Sequence, residues 1–312
     1  MEFDFTGPRD PKERHKHYLE RHVVALHCID QRLPEGRDKR KPAVVPHVLS
    51  GFLLSVRGEW FWVTAGHILH TLDQALANKK QNLGAWRFVD CAAGKSSDDS
   101  GIPFDYSGAF KGYLDTEDIN PDYRMDVGYI WVRGNCRQLL EAVGVTPLSE
   151  KAWGDLRHPF TVFEMVGFPT EKIDNNIRFH GKEIGTKVIA HAMGVPVVLL
   201  PEKSETHLVA RIGDEYADPT LGSPPLRDMD GMSGAPIFGA YGEGDRVHYR
   251  LLAVQGSWDD VTREITGFPV SHLGAALDAV MTTPLPSAAD TAGPQTGTPA
   301  PETAPAPRTT CE

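Results

Sequence analysis

The hydrophobic positions in the first third of the chain form short runs of the length of β-strands. Apolar residues dominate 23–29, 48–56 and 60–64, and only Arg57-Gly58-Glu59 separates the last two runs. Two apolar runs joined by a short turn that contains glycine predict a β-hairpin. After this hairpin the spacing changes to that of a helix, with one apolar face formed by Ile68, Leu69, Leu72, Ala75 and Leu76. This helix is predicted to end near Asn78.

Short apolar runs continue along the rest of the chain, separated by glycine and proline. They predict strands at 86–91, 127–132, 161–166, 186–191, 197–200, 207–212, 235–238, 248–255 and 265–268. Many short strands with turns between them are typical of a sandwich or a barrel, and they argue against alternating β/α units. A closing helix is predicted at 272–281, with Ser271 as its N-cap.

The two ends of the chain differ from this central part. Residues 8–22 are charged, with Tyr18, Leu19 and His22 on one side, so we predict an N-terminal extension over 1–22 that is partly helical. Beyond Thr283 the composition is dominated by Pro, Ala, Thr, Ser and Gly, which cannot bury apolar surface. We therefore predict a disordered tail or linker stub at 283–312.

Composition narrows the classes of function. The chain has 312 residues and a formal net charge of −10, which argues against a general binder of nucleic acid. Its start lacks the pattern of a secretory signal, and no apolar run reaches the length of a membrane span. The cysteines have no Cys-x-x-Cys spacing, so we expect free thiols at Cys28, Cys91, Cys136 and Cys311. These observations predict a cytoplasmic protein with no membrane partner.

Three local motifs carry residues suited to nucleophilic catalysis. The first is an apolar strand that ends in Thr-Ala-Gly and His67, and the second is Asp126 immediately before the apolar run Val127-Gly128-Tyr129-Ile130. The third is Gly231-Met232-Ser233-Gly234-Ala235-Pro236, a serine in a glycine-rich turn that leads into a strand. They occur in the order His, Asp, Ser.

Each of these residue types has a role in peptide hydrolysis. A serine hydroxyl is a weak nucleophile unless an adjacent base takes its proton, and imidazole titrates close to neutral pH. A carboxylate on the other ring nitrogen orients that imidazole and stabilises its protonated form. Glycines beside the serine allow the backbone N–H groups of Gly231 and Ser233 to converge on a developing oxyanion. We predict His67, Asp126 and Ser233 as the catalytic residues.

Together these motifs resemble those of the trypsin-like (chymotrypsin-fold) serine peptidases, particularly their bacterial branch. The resemblance covers 23–282 and includes Gly167-Phe168-Pro169, similar to a Gly-aromatic-Pro turn of such enzymes. It implies an all-β fold of two six-stranded-type β-barrels, with the boundary between them near 135–160, and a C-terminal helix. It also implies an endopeptidase that works through an acyl-enzyme on Ser233. Substrate would pair as an added strand beside Gln255, Gly256 and Ser257.

Two positions depart from the better-known relatives. Met232 precedes the serine where the digestive enzymes have an aspartate that pairs with a newly formed N-terminal amine, so activation by N-terminal cleavage is not expected. Arg227 lies six residues before the serine, where enzymes specific for basic residues have an aspartate. This predicts a substrate-binding Arg227 and an acidic or polar P1 residue, whereas a shift of one residue would place Asp228 there and reverse the charge.

Several alternatives fit these residues less well. Asp122 is a competitor of Asp126, but no apolar strand follows it directly. An α/β-hydrolase needs Gly-x-Ser-x-Gly, and Ala235 occupies the last position. We expect no cofactor and no metal, because His67 and His70 lack a third ligand nearby. The partners expected are a protein or peptide substrate and a regulatory protein that relieves latency. The rival from another class is a catalytically silent interaction module with the same fold.

Overall fold

The computed structural model describes residues 2–4, 18–32, 43–78, 82–90, 101–114, 126–170, 173–180, 183–190, 192–204, 206–213, 229–243 and 246–282. Several sequence-based predictions lie outside these residues, namely those for most of the N-terminal extension, Cys91, Cys311, Asp122, Arg227, Asp228 and the tail. Within the described residues, every helix is too short or too polar to reach from one side of a membrane to the other.

The N-terminal half consists of two four-stranded sheets. Their strands are β2 (Val24–Arg32), β3 (Ala43–Leu49), β4 (Phe52–Val56), β5 (Glu59–Thr64), β6 (Leu83–Asp90), β7 (Ile102–Pro103), β8 (Lys111–Leu114) and β9 (Val127–Val132). The strand orders are β3-β2-β6-β7 and β4-β5-β9-β8, and a bridge between Val23 and Phe52 connects the sheets. Large apolar side chains such as Trp62 and Phe88 fill the space between them.

The predicted hairpin is present as β4 and β5. Arg57 and Gly58 form its turn with φ angles of 49° and 82°, the left-handed region that a tight hairpin turn requires. The run predicted as one strand at 48–56 is divided, because Ser50 and Gly51 separate β3 from β4.

The C-terminal half is a closed six-stranded barrel. Its strands, in spatial order, are β16 (Arg246–Asp259), β15 (Pro236–Glu243), β10 (Val162–Gly167), β13 (Met193–Leu199), β14 (Leu208–Ile212) and β17 (Glu264–Pro269). Pairing of β16 with β17 closes the barrel. Strands β7 and β8 have no counterpart in the sequence-based predictions, and neither do β1 (Glu2–Asp4), which pairs with the start of β16, and β11 (Ile173–His180). Strand β11 forms a hairpin with β12 (Glu183–Ala190), which corresponds to the strand predicted at 186–191.

Within the described residues, the sheets are accompanied by α1 (Gly66–Ala77), α2 (Gly134–Ala142) and α3 (Val270–Thr282), and residues 18–20 are also helical. The spacing of apolar residues does not predict α2. The predicted N-cap of the closing helix is wrong, because α3 begins at Val270, directly after β17, and Ser271 lies inside it. Val270 is fully buried, and this packing sets the start of the helix. Leu273 and Leu277 of α3 are also buried in the core.

A shared core joins the two halves. Phe52, Phe61 and Val63 of the N-terminal half belong to the same buried cluster as Phe168 and Leu251 of the C-terminal half. The predicted all-β fold with two barrels and a C-terminal helix is therefore confirmed. Of the predicted free thiols, Cys28 and Cys136 are free in the structure.

Candidate active site

His67 and Asp126 meet because their strands are neighbours in one sheet. Strand β5 ends at Thr64, which pairs with Gly128 near the start of the antiparallel β9. The residues just after β5 and just before β9 therefore lie at the same edge of the sheet. The Nδ1 atom of His67 is 2.5 Å from Oδ2 of Asp126.

The second oxygen of Asp126 holds the backbone of the same histidine. The N–H of His67 donates to Oδ1 at 2.7 Å, at the first turn of α1. The N-cap residue Ala65 has no side chain that could satisfy this donor, so Asp126 supplies the missing cap from another strand. A carboxylate is also favoured at this end of a helix by the macrodipole. One side chain thus fixes both the ring and the main chain of His67.

This arrangement leaves Nε2, the second ring nitrogen of His67, without a bond to Asp126. Because Asp126 occupies the Nδ1 side, Nε2 is the nitrogen that remains to exchange a proton. The side chain of His67 is 51% exposed and that of Asp126 is 26% exposed. The pair is therefore open to a ligand on the imidazole side and more enclosed on the carboxylate side.

Ser233 lies in a turn whose backbone N–H and carbonyl groups are held by hydrogen bonds to other parts of the chain. The carbonyl of Asp230 accepts a hydrogen bond from the N–H of Thr170 at 2.7 Å, and the carbonyl of Met232 accepts one from Ala235 at 2.9 Å. The N–H of Gly234 donates to the carbonyl of Gln255 on β16 at 2.8 Å. We call residues 229–235, which contain the predicted nucleophile Ser233, the nucleophile turn.

Two donors of the nucleophile turn remain available. Among the described residues, no backbone carbonyl accepts a hydrogen bond from the N–H of Gly231 or Ser233. A planar trans peptide directs its N–H opposite to its carbonyl, so the bonds to the carbonyls of Asp230 and Met232 also orient these two N–H groups. Two neighbouring N–H groups that remain free to donate are what a site for an anionic oxygen needs.

The turn depends on glycine at two positions. Gly231 and Gly234 have φ angles of 87° and 88°. A Cβ at Gly231 would lie 2.6 Å from the carbonyl oxygen of Phe168, and one at Gly234 would lie 2.3 Å from Oγ1 of Thr64. Both the left-handed conformation and the close approach of the neighbouring backbone therefore exclude a larger residue.

Met232 fills the space behind the serine. It is fully buried, and its thioether lies 3.0 Å from the position that a Cβ on Gly167 would take. It belongs to an apolar cluster with Met165, Met193 and Ile237. The residue before the serine is thus held by apolar packing.

A cleft of about 850 Å³ brings the two halves of the site together. Of the residues predicted from sequence, the cleft is lined by His67, Asp126, Gly231, Ser233, Gly256 and Ser257. Gln255 does not line it. Its side chain is 1% exposed, and its main chain hydrogen-bonds to Gly234 and Ala235 of the nucleophile turn. The predicted substrate-binding Arg227 lies outside the described residues.

One edge of β16 is free beside the cleft. Its pairing with β15 ends at Val254, whereas pairing with β17 continues on the other side. Gly256 is the extra residue of a bulge between Gln255 and Ser257. The N–H and carbonyl of Gln255 are bonded to Ala235 and Gly234, whereas no strand of the described chain pairs with Gly256 or Ser257 on this side of β16. An unpaired strand edge of this kind is the requirement for adding a strand of ligand.

Other residues in the cleft carry no signal that sequence analysis could use. The C-terminal barrel contributes His207, Met229, Trp258, Thr266 and Phe268, and the N-terminal half contributes His70, Tyr113 and Leu114. Thr266 faces the cleft because it pairs with Ser257 across adjacent strands, where side chains share a face. Such cross-strand positions depend on register, which the spacing of apolar residues does not specify.

Comparison with known proteins gives similarities to solved structures alone. No protein-family model matches the chain, and no curated protein sequence is similar to it. The thermostable serine protease AL20 from an extremophilic microorganism is similar with 15% identity and a TM-score of 0.42, covering 85% of this chain and 99% of that one. The protease Anisep from Arthrobacter nicotinovorans is similar with 13% identity and a TM-score of 0.40, covering 82% and 96%. Human heparin binding protein is similar with 12% identity and a TM-score of 0.41, covering 86% and 94%.

Identities this low do not transfer an activity or a substrate. The fold is assigned from the structure of this chain. It has two four-stranded sheets in the N-terminal half, a closed six-stranded barrel in the C-terminal half, a C-terminal helix and a cleft between the halves. The chain has the double β-barrel fold of the trypsin-like serine peptidases.

Proposed function

We propose that the chain is a serine endopeptidase, with Ser233 as nucleophile, His67 as general base and acid, and Asp126 as the residue that orients His67. The observation that carries this proposal is the placement of Ser233 in one cleft with His67, whose Nδ1 is 2.5 Å from the Asp126 carboxylate. Nε2 of His67 is then the atom that faces the reaction.

The reaction would proceed in two halves. Oγ of Ser233 attacks the carbonyl carbon of the scissile peptide while Nε2 of His67 takes the hydroxyl proton. The N–H groups of Gly231 and Ser233 donate to the oxyanion that forms. The tetrahedral intermediate collapses, the C–N bond breaks, and the leaving amine takes the proton from His67. Water then attacks the acyl-enzyme by the same route and releases the acid and the serine.

Protein or peptide substrates are the ligands that fit this cleft. An extended segment can pair with the free edge of β16 from Gly256 onward, which would place its scissile bond beside the nucleophile turn. Asp126 would remain ionised throughout, since its role is to hold the imidazole and to stabilise the imidazolium. Latency until a regulatory protein binds remains part of the proposal for this enzyme.

Labelling with a fluorophosphonate tests the proposal without knowledge of the substrate. We expect wild type to form a covalent adduct and Ser233→Ala to form none, because the adduct needs an activated serine. Ser271→Ala is the matched control, since Ser271 is exposed on α3 outside the cleft. Cleavage of a peptide library by wild type and not by Ser233→Ala would then define the P1 preference. A wild-type protein that neither labels nor cleaves favours the silent interaction module or a latent enzyme that awaits its regulatory partner.

A further inference from the structure

Ser50 is a fully buried polar residue that joins the two halves of the molecule next to the site. It lies between β3 and β4 in the N-terminal half. Its hydroxyl accepts a hydrogen bond from the N–H of Phe168 at 2.8 Å and donates one to the carbonyl of Gly231. Both partners belong to the C-terminal half, and Gly231 belongs to the nucleophile turn.

The main chain of Ser50 contacts the elements that present the other site residues. Its carbonyl accepts a hydrogen bond from Oγ1 of Thr64 at 2.7 Å. Thr64 is the last residue of β5, three positions before His67. The same carbonyl lies 2.7 Å from the position that a Cβ on Gly234 would take. Ser50 thus touches both the strand that leads to His67 and the turn that holds Ser233.

With the bond from Ser50 to Gly231, each of three successive peptides in the nucleophile turn is held by a hydrogen bond. Three successive carbonyls, those of Asp230, Gly231 and Met232, each accept a hydrogen bond. Backbone N–H groups hold the first and the third, so Ser50 provides the single side-chain contact of the three. The N–H of the middle peptide, on Met232, also donates to the carbonyl of Met229 at 2.9 Å. Because peptides are planar, the orientation of the middle one determines how the N–H groups of Gly231 and Ser233 lie relative to each other.

From this geometry we infer that Ser50 is a positioning residue, which fixes the Gly231–Met232 peptide so that the two N–H groups converge on the oxyanion. The inference deepens the proposed function and rests on it for its chemical consequence. Removing the hydroxyl would leave a buried carbonyl and the N–H of Phe168 without their partner. Among the described residues, the bond from the N–H of Met232 to Met229 would then be the one restraint left on this peptide.

Kinetics of Ser50→Ala on a peptide chosen from the library give the first test. We expect kcat to fall by about a hundredfold with KM little changed, because misplaced oxyanion donors weaken transition-state binding while substrate binding persists. Ser50→Cys keeps the size of the side chain but bonds weakly, so its loss should be intermediate. Ser55→Ala, the same change at a buried serine of β4, is the matched control and should retain wild-type kinetics. If Ser50→Ala fails to fold, Ser50→Cys decides the question.

A second measurement separates this inference from the proposed function. Amide hydrogen exchange at Phe168 should be faster in Ser50→Ala than in Ser55→Ala, whether or not the protein is an enzyme. If wild type shows no activity, the peptidase proposal gains no support from the kinetics, and the exchange rate alone decides whether Ser50 holds the turn. Unchanged exchange, or a kcat for Ser50→Ala equal to that of Ser55→Ala, overturns the inference. Faster exchange together with reduced kcat supports it.

Discussion

The two halves of the molecule contribute to the cleft by different physical means. The N-terminal half presents side chains that can ionise, and Asp126 fixes His67 through one bond to the ring and another to the backbone. The C-terminal half presents peptide groups, oriented by glycine conformations and by bonds to successive carbonyls. Charge interactions therefore position the site groups of the N-terminal half, and backbone geometry positions those of the C-terminal half.

The interiors of the two halves show the same contrast. Among the described residues, the N-terminal half buries seven polar or charged residues, and the C-terminal half buries two, His248 and Gln255. Those of the N-terminal half are Glu20, His22, His27, Asp30, Ser50, Ser55 and Thr64. The cluster inside the C-terminal barrel contains Met165, Met193, Met229 and Met232 with aliphatic residues. A change of pH should thus act mainly on the N-terminal half, and a change of backbone shape mainly on the C-terminal half.

The largest expected effect on catalysis comes from removing the charge of Asp126 in the N-terminal half. Asp126→Asn keeps the size of the side chain but removes its charge, and the amide can present an N–H to Nδ1, which favours the wrong tautomer of His67. We expect kcat/KM for the library peptide to fall by about ten thousandfold. The folded state should persist, as measured by the urea midpoint. Near-normal turnover by this variant would remove Asp126 from the mechanism.

A change of backbone shape in the C-terminal half should reduce turnover less than Asp126→Asn does, but it should lower the free energy of unfolding. Gly234→Ala introduces a Cβ at a φ of 88°, 2.3 Å from Oγ1 of Thr64. We expect a loss of about 3 kcal/mol in the free energy of unfolding, from backbone strain and overpacking together. Urea denaturation of the variant beside wild type measures this loss.

Gly58→Ala provides the matched comparison for this prediction. Gly58 has a φ of 82°, but no atom lies within 4 Å of the position that a Cβ would take there, so conformational strain is the single cost. We expect a loss of about 1 kcal/mol and unchanged fluorophosphonate labelling. Equal losses for the two variants would show that crowding around Gly234 has no energetic importance.

The smallest expected effect concerns acid sensitivity. Burial lowers the pKa of His27 from 6.5 to about 4, and its Nε2 has no hydrogen-bond partner among the described residues. The unfolded chain therefore binds a proton below pH 6.5 that the folded chain accepts only near pH 4, so stability falls as the pH decreases through this window. His27→Leu should reduce the loss between pH 7 and pH 4.5 by on the order of 2 kcal/mol.

Urea denaturation of wild type and His27→Leu at both pH values measures this difference. His22, whose burial also lowers its pKa to about 4, remains in both proteins and should maintain part of the acid sensitivity. If the two proteins lose the same stability on acidification, the cost of burying His27 has been overestimated.

Sequence could predict those parts of the molecule that depend on neighbouring residues. The hairpin of β4 and β5, the helix after His67 and the clustering of glycines around Ser233 are all local, and the spacing of apolar residues and glycines identifies them. The same local signals favour Ser271 as a cap, but burial of Val270 in the core moves the start of the helix.

Features that depend on distant contacts could not be predicted in this way. Ser50 and Gly231 are 181 positions apart, and nothing around Ser50 in the sequence indicates a hydrogen bond to the turn. His207 and Thr266 reach the cleft through the pairing register of β14 and β17, which is settled by the whole barrel. The pairing of β1 with β16 likewise joins opposite ends of the chain.

The burial of Met232 has a consequence for how such a site responds to its surroundings. An ion pair that held this turn would weaken at higher salt, because ions screen charges. The apolar contacts of Met232 do not depend on charge, so salt at moderate concentration does not weaken them. The shape of this turn should accordingly persist from low to high ionic strength. We therefore expect any control over the proposed peptidase activity to act on access to the cleft or on the imidazole of His67.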